Sequence, residues 1–193
     1  YVINNKGNLG ISLYGTYDEI WQAKNNKNNT EFLWVVTHSS NSSLNPQASN
    51  PNRLHCYFSP SLVDNAGIIN AANTYEYPKE NQLLMPTYYF LKLWQPWDKR
   101  YKVLFQEEFP ENAARGTYKW SQVMVDRYYL ENDHGLLNKS VKAGNTALKF
   151  TKESVTDAEK DAAAVKGYAI VGIDDVFDTQ NVNAKGGCKV KDP

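Results

Sequence analysis

Tryptophan and tyrosine set among amides are the residues of this chain best suited to chemistry, and the chemistry is stacking on a neutral, hydroxyl-rich ligand. Aromatics make up 13% of the 193 residues, including 13 Tyr and 5 Trp. Rings cover the apolar C–H faces of a sugar, and amide side chains serve its hydroxyls. Trp94 and Trp97 flank a Gln95-Pro96 corner, so at least one of the two is expected at the surface. Tyr75 and Tyr77 alternate in an irregular stretch close to Asn73, Asn81 and Gln82. Tyr118 and Trp120 alternate in the same way beside Gly116. Trp97, Tyr75, Tyr77, Trp120, Tyr118 and Asn73 are therefore the candidate ligand-binding residues, with core packing as the competing reading of each. Trp34, in an apolar strand, and Trp21, beside Ile20 on a helical face, are expected in the core.

Other chemistries find less support. His38, His55 and His134 with Cys56 and Cys188 show no metal-ligand spacing, and neighbours His55 and Cys56 point to opposite faces of a strand. Asp174, Asp175 and Asp178 lack the register of a calcium loop and read as a solvated turn. No metal and no cofactor is expected. GxSxG, HExxH and GxxxxGK[ST] are all missing. A glycosidase needs two carboxylates across a cleft, for which Glu107-Glu108 with Glu111, or Asp126 with Glu131, are available. Surface charge is the simpler account, so no catalytic residue is assigned. Asp98 and Arg100, two apart in a turn, are expected to hold a helix-to-strand corner by charge-assisted hydrogen bonds. The sequons at Asn28, Asn41 and Asn138 decide nothing.

Charge excludes one class of partner. Twenty-one basic and 21 acidic residues balance to zero, leaving no electrostatic footprint for nucleic acid or an acidic membrane. No 18-residue apolar run is present to span a bilayer. Cys56 lies in an apolar run and reads as a buried free thiol, although pairing with Cys188 is open in an oxidising compartment. Residues 1–193 are expected to be a single interior segment, without signal peptide, lipid-attachment cysteine or C-terminal part.

The elements that must position these residues are short. Residues 17–24 have helical spacing, 31–37 (EFLWVVT) and 54–58 read as strands, and 39–52 and 59–84 are irregular. Pro86 and Thr87 open a helix over 88–94 whose apolar face is Tyr89, Phe90 and Leu93. Residues 101–109 follow as a strand, and 116–129 are ambiguous between helix and strand. Residues 147–150 form a strand; Thr156 and Glu159 make a capping box for an Ala-rich helix that Gly167 closes; 168–173 form a last strand.

In this order and spacing the chain resembles the SusD/RagB-like nutrient-binding lipoproteins of outer membranes. The resemblance is carried by Tyr17-Asp18-Glu19-Ile20-Trp21, Glu31-Phe32-Leu33-Trp34, and Asn52-Arg53-Leu54-His55 before Tyr57-Phe58. It continues through Met85-Pro86-Thr87, Leu91 and Trp94, then Asp98 with Arg100-Tyr101, and ends at Gly144-Asn145-Thr146-Ala147, where Asn stands for the family's Asp. It implies a mainly α protein with short strands and long loops, built on helix pairs of tetratricopeptide type. It also implies non-catalytic capture of oligosaccharide or polysaccharide at the outer membrane, through a lipid anchor outside this chain, for a SusC-like TonB-dependent transporter. A peptide- or protein-binding module is the alternative, and a glycoside hydrolase a more distant one. The family motifs are scaffold motifs, so the site residues rest on the aromatics alone.

Overall fold

The computed structural model describes residues 4–25, 28–32, 84–111, 117–129 and 132–191. They fall into two compact units, one containing 4–25, 28–32 and 96–105, the other 84–95, 106–111, 117–129 and 132–191.

In the first unit, α1 (Lys6–Leu9) ends at Gly10 in the left-handed conformation, φ 66°. Helix α2 (Tyr17–Trp21) starts where the Glu19 carboxylate accepts hydrogen bonds from the Gly15 and Thr16 amides, at 3.0 and 3.2 Å. A 3-10 turn, Ala23–Asn25, follows. The asparagines around it serve the backbone: Asn25 Nδ2 donates to the Glu19 carbonyl at 2.7 Å, and buried Asn29 donates to the Ile20 carbonyl at 2.9 Å. The Asn25 amide adds a second donor to the Glu19 carbonyl, which also accepts from the Gln22 amide at 3.4 Å, and Asn29 serves a second carbonyl near the helix end, where intrahelical partners run out.

The second unit opens with α3 (Tyr88–Lys92), whose cap is Thr87; its hydroxyl accepts from the Phe90 amide at 3.2 Å. Pro86 stands just outside this cap. Tyr89, Phe90 and Leu93, the expected apolar face, are exposed, while Tyr88 and Leu91 are half-buried. Tyr88 meets Phe177 edge to face.

Residues 101–109 correct the expected strand. Helix α4 (Arg100–Leu104) of the first unit takes their beginning, and β1 (Glu108–Pro110) of the second takes their end. Tyr101 and Phe105 are four apart and stack at 4.9 Å, a helical pairing hidden in a run that also reads as a strand. Asp98 does bond Arg100, accepting from its amide at 3.0 Å and its guanidinium Nε at 2.9 Å. The corner it holds leads into a helix.

The second unit is built on a three-stranded sheet in the order β1-β4-β5, with β4 (Thr146–Phe150) antiparallel to β1 and parallel to β5 (Ala169–Val171). Parallel neighbours need a crossover, here α6 (Asp157–Val165), packed on β5. Its capping box is formed: the Thr156 hydroxyl accepts from the Glu159 amide at 3.3 Å, and the Glu159 carboxylate from the Thr156 amide at 2.8 Å. A second pair, β2 (Tyr118–Lys119) with β3 (Ser140–Val141), precedes and follows α5 (Gln122–Tyr128). Residues 116–129, ambiguous in sequence, thus hold one strand and one helix. The core gathers Phe109, Trp120, Val125, Leu136, Leu148, Ala164 and Ala169. Chain after β5 turns into α7 (Ile173–Val176), so Asp174 and Asp175 lie in a helix.

A mainly α scaffold of tetratricopeptide type is therefore corrected. Among the described residues the longest helix has nine residues, and a mixed sheet carries the core. Helices this short expose too little surface to form stacked helix pairs, and the core draws instead on the strands, on α5 and α6 and on the segments between them.

Candidate functional site

The six candidate residues part company. Asn73, Tyr75 and Tyr77 lie outside the described residues. Trp120 is 0% exposed, and its indole N–H donates to the Gly167 carbonyl at 2.8 Å. No ring face is left for a ligand, so Trp120 is removed from the site: it is a core residue whose polar edge is satisfied internally. Tyr118, half-buried, meets Trp120 edge to face at 6.2 Å. Trp97 is 77% exposed, the one described candidate whose ring is open to solvent. The Asp98–Arg100 pair immediately after it fixes the corner. That contact, chiefly the guanidinium hydrogen bonds, holds the Asp98 carboxyl below the usual carboxylate range.

The unit that holds Trp97 carries a second aromatic feature. Trp21, expected in the core, is 53% exposed. It stands edge to face with Tyr17 and with Phe32, each at 6.0 Å. Aromatic residues four apart on a helix were visible in the sequence; the shortness of α2, which leaves the far side of the indole uncovered, was not. Trp97, Trp21 and Phe32 are exposed aromatic residues of the first unit, with half-buried Tyr17 beside Trp21, and a flat apolar ligand face can reach them. The neighbouring amides Asn25 and Asn29 are bonded to backbone and do not extend the site.

The carboxylates divide as well. Glu108 is exposed and bonded to Lys149 at 2.8 Å, which lowers its pKa. Glu111, three residues on, lies with Phe109 on the buried face of the strand's continuation and is 2% exposed. Its amide and carbonyl pair with Asn145 and Gly144, while neither carboxylate oxygen has a hydrogen-bond partner among the described residues. Burial pushes its pKa above the ordinary glutamate value. Asp126 accepts from Gln122 at 2.6 Å, and Glu131 is outside the described residues.

A raised carboxyl pKa favours the folded state at low pH. That stabilisation is full below the ordinary glutamate pKa and is lost as pH rises through the folded value. Glu111→Gln is therefore expected to raise the melting temperature at pH 7 and to lose this advantage as the pH falls towards about 4. Thermal unfolding of both proteins across that range checks it; an effect independent of pH would reject the buried-charge account.

His134 is the described histidine. Its Nδ1 lies 2.9 Å from Asp161 and its ring stands edge-on to Tyr129. Cys188 is a half-buried free thiol, and Cys56 lies outside the described residues. Among the described residues, no group of three or more His, Cys, Asp or Glu is placed to hold a metal ion, and no helix is long and apolar enough to cross a membrane.

No family model matches the chain, and neither the curated proteins nor the solved structures include a match to it.

Proposed function

We propose that the chain is a non-catalytic binding module for a neutral oligosaccharide or polysaccharide, with Trp97 as the principal stacking residue. The exposed Trp97 indole on a pinned corner carries this reading. Holding a large apolar ring in water is unfavourable by the area left unburied, and a sugar's C–H face recovers that loss without requiring charge. Zero net charge agrees with a neutral ligand. The order of the sequence motifs supports membership of the SusD/RagB-like group. On that basis the module serves at the outer membrane as part of a lipoprotein that passes its ligand to a SusC-like TonB-dependent transporter.

Titration of tryptophan fluorescence and calorimetric heat against a panel of soluble polysaccharides and a peptide mixture tests it. Saturable binding of one glycan without release of reducing ends is expected. Trp97→Ala should weaken that binding about tenfold, while leaving the unfolding midpoint within the scatter of surface substitutions, about 0.5 kcal/mol. Unchanged affinity with a native circular dichroism spectrum would remove Trp97 from the site.

One observation favours a second reading. Leu84, Met85, Tyr89, Phe90 and Leu93, on and just before α3, are all exposed. Grouped Met, Leu and aromatic residues suit a peptide or protein surface better than a sugar. Heat from the peptide mixture alone would select this reading.

A further inference from the structure

The free edge of β5 is closed by a side chain. In β5 the Val171 carbonyl accepts from the Thr151 amide at 3.0 Å, so the polar groups of Val171 face β4. Strand polar groups alternate in direction, which turns those of Ile170 away from β4 towards the open edge. Both are occupied by one atom. The Tyr129 hydroxyl donates to the Ile170 carbonyl at 2.9 Å and accepts from the Ile170 amide at 2.7 Å. A fourth strand would use the same two groups. Among the described residues no strand pairs with β5 on this side.

We infer that Tyr129 is an edge guard, occupying the one position through which β5 would otherwise accept a strand from a second copy of this chain. The run 168–173 (YAIVGI) is apolar and uncharged and contains no proline. Such a segment on an open edge is the pattern that pairs with its own kind. The tyrosine is well placed for the task. It follows α5 directly, its amide bonded to the Val125 carbonyl at 2.7 Å. Its ring is buried, held edge-on by His134 at 5.0 Å, with the Lys160 ammonium 5.3 Å from its centroid. Burial pushes the hydroxyl pKa up to about 12, so it keeps the proton it donates throughout the neutral range. The opposite edge is blunted by other means: Pro110 has no amide hydrogen, and Gln106 Nε2 donates to the Glu108 carbonyl at 3.2 Å.

Tyr129→Phe keeps the ring and deletes the guard. Sedimentation velocity of this variant and the parent, at concentrations where both have the same folded fraction, is the test. Association of the variant at concentrations where the parent shows none, with added β signal in the amide I band, is expected. A variant that sediments like the parent would overturn the inference, because loss of two hydrogen bonds alone lowers stability without creating a surface. The unmodified chain gives a second reading should the variant fold poorly. Native-state exchange of the Ile170 amide should be protected to within about tenfold of Leu148 in the middle strand; exchange at the rate of an open edge would refute the guard.

Discussion

Trp120→Ala is expected to destabilise the second unit by roughly 3–5 kcal/mol, the range for truncating a fully buried large aromatic. Against a typical total of 5–15 kcal/mol, that is enough to leave a substantial unfolded fraction. Two losses combine. Tyr118 and Tyr128 meet the indole edge to face at 6.2 and 6.1 Å, contacts that truncation removes. The backbone of Trp120, which the substitution keeps, bonds Lys139 and Asn138 and fixes where the indole enters the core. The indole N–H also reaches Gly167, 47 residues away, so truncation strands a buried carbonyl as well as opening a cavity. Denaturant unfolding followed by near-ultraviolet circular dichroism measures the change. Trp120→Phe, which keeps most of the volume and loses only the donor, should lie between the parent and the alanine variant. A parent-like midpoint for Trp120→Ala would mean that the indole is not the centre of the core, and would return it to the list of ligand residues.

That reversal shows where sequence reasoning stops. Trp120 and Trp97 look alike in sequence, each near a glycine or proline corner with a second aromatic nearby. What separates them is a carbonyl 47 residues distant that one indole reaches, while the other is 77% exposed. Local chemistry was legible: the Thr156–Glu159 box, the closing Gly167 and the strand near 147–150 all depend on neighbours within a few positions. Residues 101–105 misled because Tyr101 and Phe105 satisfy a helical period inside an apolar run that also suits a strand. The mixed sheet was within reach. A strand, an Ala-rich helix and a second strand were each visible in order, and that sequence of elements calls for a parallel pair. The SusD/RagB-like resemblance implies helix pairs instead, and the mixed sheet overrides that expectation. Trp21 and Glu111 were not accessible in this way, since the exposure of one and the burial of the other depend on how far short elements extend over them.

Gly167→Ala should cost roughly 2–4 kcal/mol, combining left-handed backbone strain with a steric collision. Gly167 sits at φ 88°, where it ends α6 with its amide bonded to the Ala164 carbonyl at 2.9 Å. A Cβ there would stand 2.7 Å from the Ser140 carbonyl oxygen of β3, which is backbone and cannot swing aside. Displacing either partner also disturbs the Gly167 carbonyl that the Trp120 indole uses. One glycine therefore joins the end of the crossover helix to the two-stranded pair and to the central tryptophan. Gly144→Ala isolates the contributions. Gly144 has a similar φ of 79°, but a Cβ there meets nothing within 4 Å, so its substitution should cost only the conformational part, about 1–2 kcal/mol. Midpoints from urea unfolding of the two variants settle the matter. A Gly167→Ala protein no less stable than Gly144→Ala would show that β3 does not approach the helix end so closely. A clear excess would place the packing of β3 on α6 among the contacts that hold the unit together.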